Sequence, residues 1–147
     1  MFTVPSTILY AYFPFSLLKI TIVTMEKKIL IVEDSKLLRA VVKEALMDAG
    51  FIVYEADNGL LGLETAKRIQ PDLIMLDVVM PIMDGMIMYK ELRKDDWGKN
   101  IPVIMLTGTE ETRIMSWING EGLEFFKKEN WMMDEVVTHV KKRLGIV

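Results

Sequence analysis

A chain of 147 residues is about one domain's worth, and with 51% of its residues hydrophobic it can bury a real core. Lys+Arg total 18 against Asp+Glu 21, a net charge of −3 that argues against nucleic-acid binding through bulk electrostatics, since phosphate neutralisation needs a basic surplus. The absence of cysteine excludes disulfides, thiol catalysis and Cys-based zinc sites, and the single histidine, His139, leaves no cluster for a metal and no obvious base for a serine nucleophile. Chemistry must therefore come from carboxylates, hydroxyls and lysines.

The first 24 residues, MFTVPSTILYAYFPFSLLKITIVT, carry one charge, Lys19, which leaves −4 for the rest. A membrane span needs ~20 apolar residues. Met1 to Leu18 is marginal for that, with Pro5 and Pro14 inside it, and no basic n-region or small-residue cleavage site marks a secretory signal. The favoured reading is a mis-assigned start, with translation opening at Met25 on MEKKILIVEDS; a membrane anchor is the alternative. Residues 25–147 then form one domain, expected in the cytoplasm. Ile29-Leu30-Ile31-Val32 reads as a strand buried on both faces. Ser35 can cap a helix running to Ala49, with Leu38, Val42 and Ala45 on its apolar face and Lys36, Arg39 and Lys43 opposite. Gly50 stops it. Phe51–Ala56 is a second strand and Leu60–Gln70 a second helix, ended by Pro71. Leu73–Leu76 makes the third strand, and Asp84-Gly85 opens a helix reaching about Asp96. Pro102–Leu106 is the fourth strand, Glu110–Asn119 a short helix, Leu123–Phe126 the fifth strand and Trp131–Leu144 the closing helix. Strict β/α alternation with apolar central strands predicts a parallel sheet covered by helices on both sides.

In open parallel sheets, ligands bind outside the carboxyl ends of the strands. Strand one ends in Glu33-Asp34, strand three in Asp77, strand four in Thr107 and strand five in Lys127-Lys128. Three carboxylates, a hydroxyl and an ammonium thus gather on one edge. Crowded carboxylates repel, a divalent cation relieves them, and an all-oxygen set favours Mg²⁺ over zinc. A carboxylate can also attack phosphorus, giving an aspartyl phosphate whose charge the metal and a lysine would neutralise.

Ile31-Val32-Glu33-Asp34-Ser35, then Pro71-Asp72-Leu73-Ile74-Met75-Leu76-Asp77, Met80-Pro81-Ile82-Met83-Asp84-Gly85 and Pro102-Val103-Ile104-Met105-Leu106-Thr107-Gly108, resemble the receiver domain of two-component response regulators. The resemblance covers Lys28 to about Leu144. It implies a flavodoxin-like, doubly wound (βα)5 fold with five parallel strands in the order 2-1-3-4-5. Asp77 matches the phosphoacceptor. Glu33 and Asp34 match the acidic pair that supports Mg²⁺, Asp34 directly and Glu33 mainly through water, and the backbone carbonyl of Val79 falls where a further metal ligand comes from. Thr107 matches the switch hydroxyl, Phe125 the aromatic that rotates inward on activation, and Lys128 the lysine that pairs with the phosphoryl oxygens. Two departures stand out: Glu129 follows Lys128 where the family usually has proline, and the glycine ahead of strand five is one residue out of step. Lys127 therefore remains a rival to Lys128, although strand periodicity puts the two on opposite faces.

The resemblance implies a signalling phosphoacceptor rather than an enzyme. It would take a phosphoryl group from a histidine kinase or phosphotransfer protein and act on a downstream protein through the helix 4–strand 5–helix 5 face. A phosphorylation-dependent homodimer is compatible with this, and nucleic acid and membrane are not expected partners. The stretch after Lys128 suffices only for the closing helix, so no output domain is expected. A haloacid-dehalogenase-type phosphatase would place an acid two residues after its nucleophile, where Val79 stands. A receiver-like scaffold that works without phosphorylation would be expected to have lost an acid or the acceptor. Met75, Met80, Met83, Met86 and Met88 read as packing, Trp97, Trp117 and Trp131 as packing or partner-face aromatics, and Lys141-Lys142-Arg143 as complement to a helix dipole.

Overall fold

The computed structural model describes Leu9–Ala11, Ile20–Ile22 and residues 26–146. Two short strands, β1 (Leu9–Ala11) and β2 (Ile20–Ile22), pair antiparallel with Leu9 opposite Ile22. The readings of residues 1–24 as a false start or an anchor otherwise lie outside the described residues. Among the described residues no helix is long and apolar enough to cross a membrane.

The domain proper alternates without a break. Strand β3 (Lys28–Val32) is followed by α1 (Lys36–Asp48), β4 (Ile52–Ala56), α2 (Gly59–Ile69), β5 (Leu73–Asp77) and α3 (Gly85–Lys94). Then come β6 (Val103–Thr107), α4 (Thr112–Gly120), β7 (Glu124–Lys127), a single 3₁₀ turn at Lys128–Asn130 and α5 (Met133–Arg143). The five strands pair in parallel in the order β4-β3-β5-β6-β7, which is 2-1-3-4-5 once the leading hairpin is set aside. This is the flavodoxin-like arrangement.

Strands β3, β5 and β6 carry unbroken apolar runs because both of their faces are covered. Leu30, Val32, Ile74, Leu76 and Met105 feed a core shared with α2, α3 and α4. Ile29, Ile31, Leu73, Met75 and Ile104 feed a second core against α1 and α5. With both faces apolar, side-chain alternation alone does not fix strand register. The polar strand ends do: sliding β5 by one residue would draw Asp77 into dry sheet, and an unpaired buried carboxylate is far too costly.

Helix starts follow local chemistry. Ser35 Oγ accepts from Leu38 N at 3.4 Å, Asn58 Oδ1 from Leu61 N at 3.0 Å and Asp84 Oδ1 from Ile87 N at 2.8 Å. Helices α4 and α5 have no such cap, and both start about two residues later than the sequence pattern predicts. Before α4, Thr107 and Thr109 tie the chain into a local turn; before α5, the 3₁₀ turn takes up Lys128–Asn130. At Gly85 a side chain is impossible without movement. A Cβ there would lie 2.1 Å from the Asp77 carbonyl oxygen, so α3 can pack directly under the strand end that carries Asp77.

Candidate functional site

Two adjacent strand ends, those of β3 and β5, and the turn after β7 build the site. Glu33 and Asp34 are the first residues past β3, and Glu33 N still donates to Ala56 O at 3.0 Å, which holds Glu33 in the frame of the sheet. Asp77 closes β5, and its Oδ1 accepts from Val79 N at 3.3 Å. Glu33 and Asp77 are only 1% and 2% exposed, whereas Asp34 is open to solvent. Oxygens of the three carboxylates lie within 4.8 Å of one another, the one such acidic or histidine cluster found among the described residues. Lys128 completes the group. Its ammonium sits 2.7 Å from Glu33 Oε2 and 2.8 Å from Asp77 Oδ2.

The electrostatics follow from three acids facing one cation. Burial pushes the Asp77 carboxyl up to about 7, with Glu33's charge adding to the rise and Lys128 opposing it. For Asp34 burial also pushes upward, but hydrogen bonding with Asp77 and Glu33 and the charge of Lys128 outweigh it, and its pKa is lowered. Burial works against the Lys128 ammonium, yet its contacts with Asp77 and Glu33 raise it above the ordinary lysine value. Glu33 Oε2 and Asp77 Oδ2 are fully buried and have no hydrogen bond of proper geometry, although the ammonium lies at ion-pair distance. Two buried carboxylate oxygens without a directed donor, beside an exposed third, form a hard-oxygen pocket short of positive charge. The residues fit Mg²⁺.

The remaining candidates fall into two groups. Lys127 points away from the acids and pairs with Glu110 at the surface, so of the two lysines it is Lys128 that meets Asp77. Val79 is 62% exposed at the rim, where its amide serves Asp77 Oδ1. Thr107 is buried at the end of β6, but its hydroxyl donates to Thr109 O at 2.9 Å and accepts from Thr109 N at 3.2 Å. Phe125 is half-buried on β7, packed against the core that includes α4.

Other side chains take quieter places. Met75, Met80 and Met88 are core, and Trp117 packs edge-on against Tyr89 with ring centroids 5.5 Å apart. His139 pairs with Glu124 and lies edge-on to Phe126. One contact at the site escaped the sequence pattern. Arg39, read there as a solvent-facing α1 cation, donates from Nη1 to the Glu33 carbonyl oxygen at 2.6 Å.

The fold and this cluster define a class: an acidic pocket with a facing lysine at the carboxyl edge of a 2-1-3-4-5 parallel sheet. Residues 29–141 match the model of the response regulator receiver domain, and the chain belongs to that family. It is 32% identical over 122 residues to the chemotaxis protein CheY of Bacillus subtilis, covering 82% of this chain and 100% of that protein. With the CheY of Halobacterium salinarum the identity is 39% over 87 residues, covering 59% of this chain and 72% of that protein. The structure of Vibrio cholerae CheY4 superposes with a TM-score of 0.73 at 28% identity, covering 80% of this chain and 98% of that one. In several other curated relatives, transcriptional regulators among them, the match spans less than half of the longer protein. Receiver domains are two-component signalling modules rather than classical enzymes, and they work with histidine kinases or phosphotransfer proteins and downstream targets. The family assignment displaces the haloacid-dehalogenase reading.

Proposed function

We propose that this receiver domain accepts a phosphoryl group on Asp77 from a phosphohistidine donor and answers by remodelling the face built by α4, β7 and α5. The observation that carries the reading is the ammonium of Lys128 bridging the buried Asp77 Oδ2 and Glu33 Oε2 in a three-carboxylate cluster whose third member, Asp34, faces solvent. A carboxylate oxygen of Asp77 would form the new O–P bond as the donor's P–N bond breaks and its imidazole departs. Bound Mg²⁺ would supply charge neutralisation for the phosphoryl oxygens, held by Asp34, Asp77 and the Val79 carbonyl, with Glu33 acting through water.

The chain's own residues do the rest. Lys128 already faces the acceptor and can move from the carboxylate to a phosphoryl oxygen with little displacement. The hydroxyl of Thr107 must leave Thr109 to reach the same group, and its departure frees the loop before α4. Phe125 can follow into the space that loop vacates. Each step biases an existing equilibrium through differential contacts. The same pocket would support slow self-catalysed loss of the phosphoryl group.

The test is incubation of the full chain with acetyl phosphate, or with beryllofluoride, in the presence of Mg²⁺. A mass increase or a spectral change that vanishes in Asp77→Asn is the expected result. A wild-type chain that binds no Mg²⁺ and takes up no phosphoryl group would instead support a scaffold that works without phosphorylation.

A further inference from the structure

Helix α1 reaches back to the site through one side chain. The guanidinium of Arg39 donates from Nη1 to the Glu33 carbonyl oxygen at 2.6 Å and from Nε to Glu55 Oε1 on β4 at 3.2 Å. Lys43 holds the other oxygen of Glu55 at 2.5 Å. The Arg39 side chain is only 16% exposed, and its bond to the Glu33 carbonyl is part-buried, while its pair with Glu55 lies toward the surface. The Lys43 ammonium, and after it Arg39, keeps the Glu55 carboxyl below its ordinary range, so it stays charged as an anchor.

The bond from Arg39 lands on the backbone between the two acids of the site. Glu33 N is fixed to Ala56 O, Ser35 N donates to Glu33 Oε1 at 3.0 Å, and Arg39 N caps Ser35 O at 2.9 Å. Without the guanidinium, the Glu33 carbonyl at this turn would lose its 2.6 Å donor, and the Glu33–Asp34 peptide plane would be freer to rotate. Rotation there changes ψ of Glu33 and φ of Asp34, the torsions that set how the two acids are presented toward Asp77. We infer that Arg39, anchored by Glu55, is a positioning residue that sets the direction of the Glu33–Asp34 pair toward Asp77. Its planar fork serves two acceptors in fixed geometry, which the single ammonium of a lysine cannot copy.

This inference rests on the Mg²⁺ reading of the site for its functional consequence, and it has a metal-free consequence as well. Outer partners of metal ligands typically matter ~10-fold or more in affinity. Arg39→Met keeps the apolar stem and is expected to weaken Mg²⁺ binding about 10-fold by calorimetry, with Arg39→Lys recovering part of the loss. Glu55→Gln leaves Arg39 in place without its charged anchor and is expected to weaken binding by a smaller factor. In the metal-free protein, hydrogen exchange of the Ser35 amide should quicken in Arg39→Met while amides of β5 and β6 keep wild-type protection. Should Arg39→Met fail to fold, Arg39→Lys and Glu55→Gln carry both measurements. Wild-type Mg²⁺ affinity together with wild-type Ser35 exchange in these variants overturns the inference. A wild-type chain that binds no Mg²⁺ counts against the proposed function instead, and Ser35 exchange alone then decides whether Arg39 positions the turn.

Discussion

The two halves of the site differ in readiness. At the ends of β3 and β5 the acids are already clustered, Glu33 and Asp77 buried, and Lys128 reaches them from the turn after β7. On β6 and β7 the corresponding groups are engaged elsewhere: the Thr107 hydroxyl with the Thr109 backbone, Lys127 with Glu110, and Phe125 with the core beside α4. The acids of the first half lie at the ends of central strands, where covered faces leave little room for alternatives. The second half ends on β7, an edge strand that is exposed or half-buried along its whole length. An acceptor needs preorganisation, whereas a responder needs two arrangements of similar free energy.

Removing the acceptor's charge should produce the largest effect. Asp77→Asn abolishes phosphoryl uptake from acetyl phosphate, as read by mass spectrometry, and it also changes stability in a pH-dependent way. Burial raises the folded-state pKa of Asp77 to about 7 from an ordinary 3.8, so the folded protein binds this proton more tightly than the unfolded chain does. The resulting stability is full below about pH 4 and is lost as pH rises through about 7. Asparagine never ionises. The variant should therefore gain on the order of 4 kcal/mol over wild type at about pH 8 and almost nothing at about pH 4, as measured by urea titration. An equal gain at both values would mean that Asp77 is not the strained member of the cluster.

The lysine pair offers a sharper contrast. Lys128→Met strands two buried carboxylates and should cost about 2 kcal/mol at about pH 8, less at about pH 5 where Asp77 is protonated. Lys127→Met removes an exposed partner of Glu110 and should leave the denaturation midpoint where it was. These two neighbours also show how far the residues could be read in advance. Strand periodicity puts Lys127 and Lys128 on opposite faces but leaves the choice between them to the structure, whereas Asp77, Glu33 and Asp34 are legible because apolar runs announce where each strand stops. Arg39 was not legible. A cation on the polar face of an amphipathic helix looks solvent-bound unless the fold shows that the helix starts directly behind the strand that carries Glu33. Nor was the turn at Thr109, because a hydroxyl bonded to backbone two residues away leaves no periodic trace. The starts of α4 and α5 were misplaced for a related reason: both lack a side-chain cap, so no residue type marks them.

On the responding half, Thr107→Val keeps shape and removes the hydroxyl, leaving Thr109 N without its acceptor. The expected cost is about 1.5 kcal/mol, read by urea titration. If the acceptor half is organised independently, Mg²⁺ affinity should stay within about two-fold of wild type. A larger change would join the two halves into one cooperative unit and erase the contrast between them.

The smallest effect probes what holds the acceptor half in place. Ile82, in the loop between Asp77 and α3, has φ +71, a conformation that a β-branched residue rarely adopts, and it is 79% exposed. Its side chain therefore offsets little of the strain through burial. The conformation is imposed from both sides: Met83 N donates to Pro81 O at 2.8 Å across a three-residue turn, Met83 O accepts from Gly59 N at 3.0 Å, and Gly85 N donates to Val78 O at 2.8 Å. The loop is fixed by α2 and by the tight seat of Gly85 beneath Asp77, and Ile82 conforms to it. Ile82→Gly relieves strain of ~1–3 kcal/mol against a glycine entropy cost of ~0.5–1 kcal/mol, so a net gain of about 1 kcal/mol in urea is expected. Uptake from acetyl phosphate should be unchanged, since no group that touches Asp77 has moved. A stabilised variant with slower uptake would show instead that the strained turn helps set the acceptor's geometry, and the rigidity of the central strands would then not be enough to explain the readiness of this half.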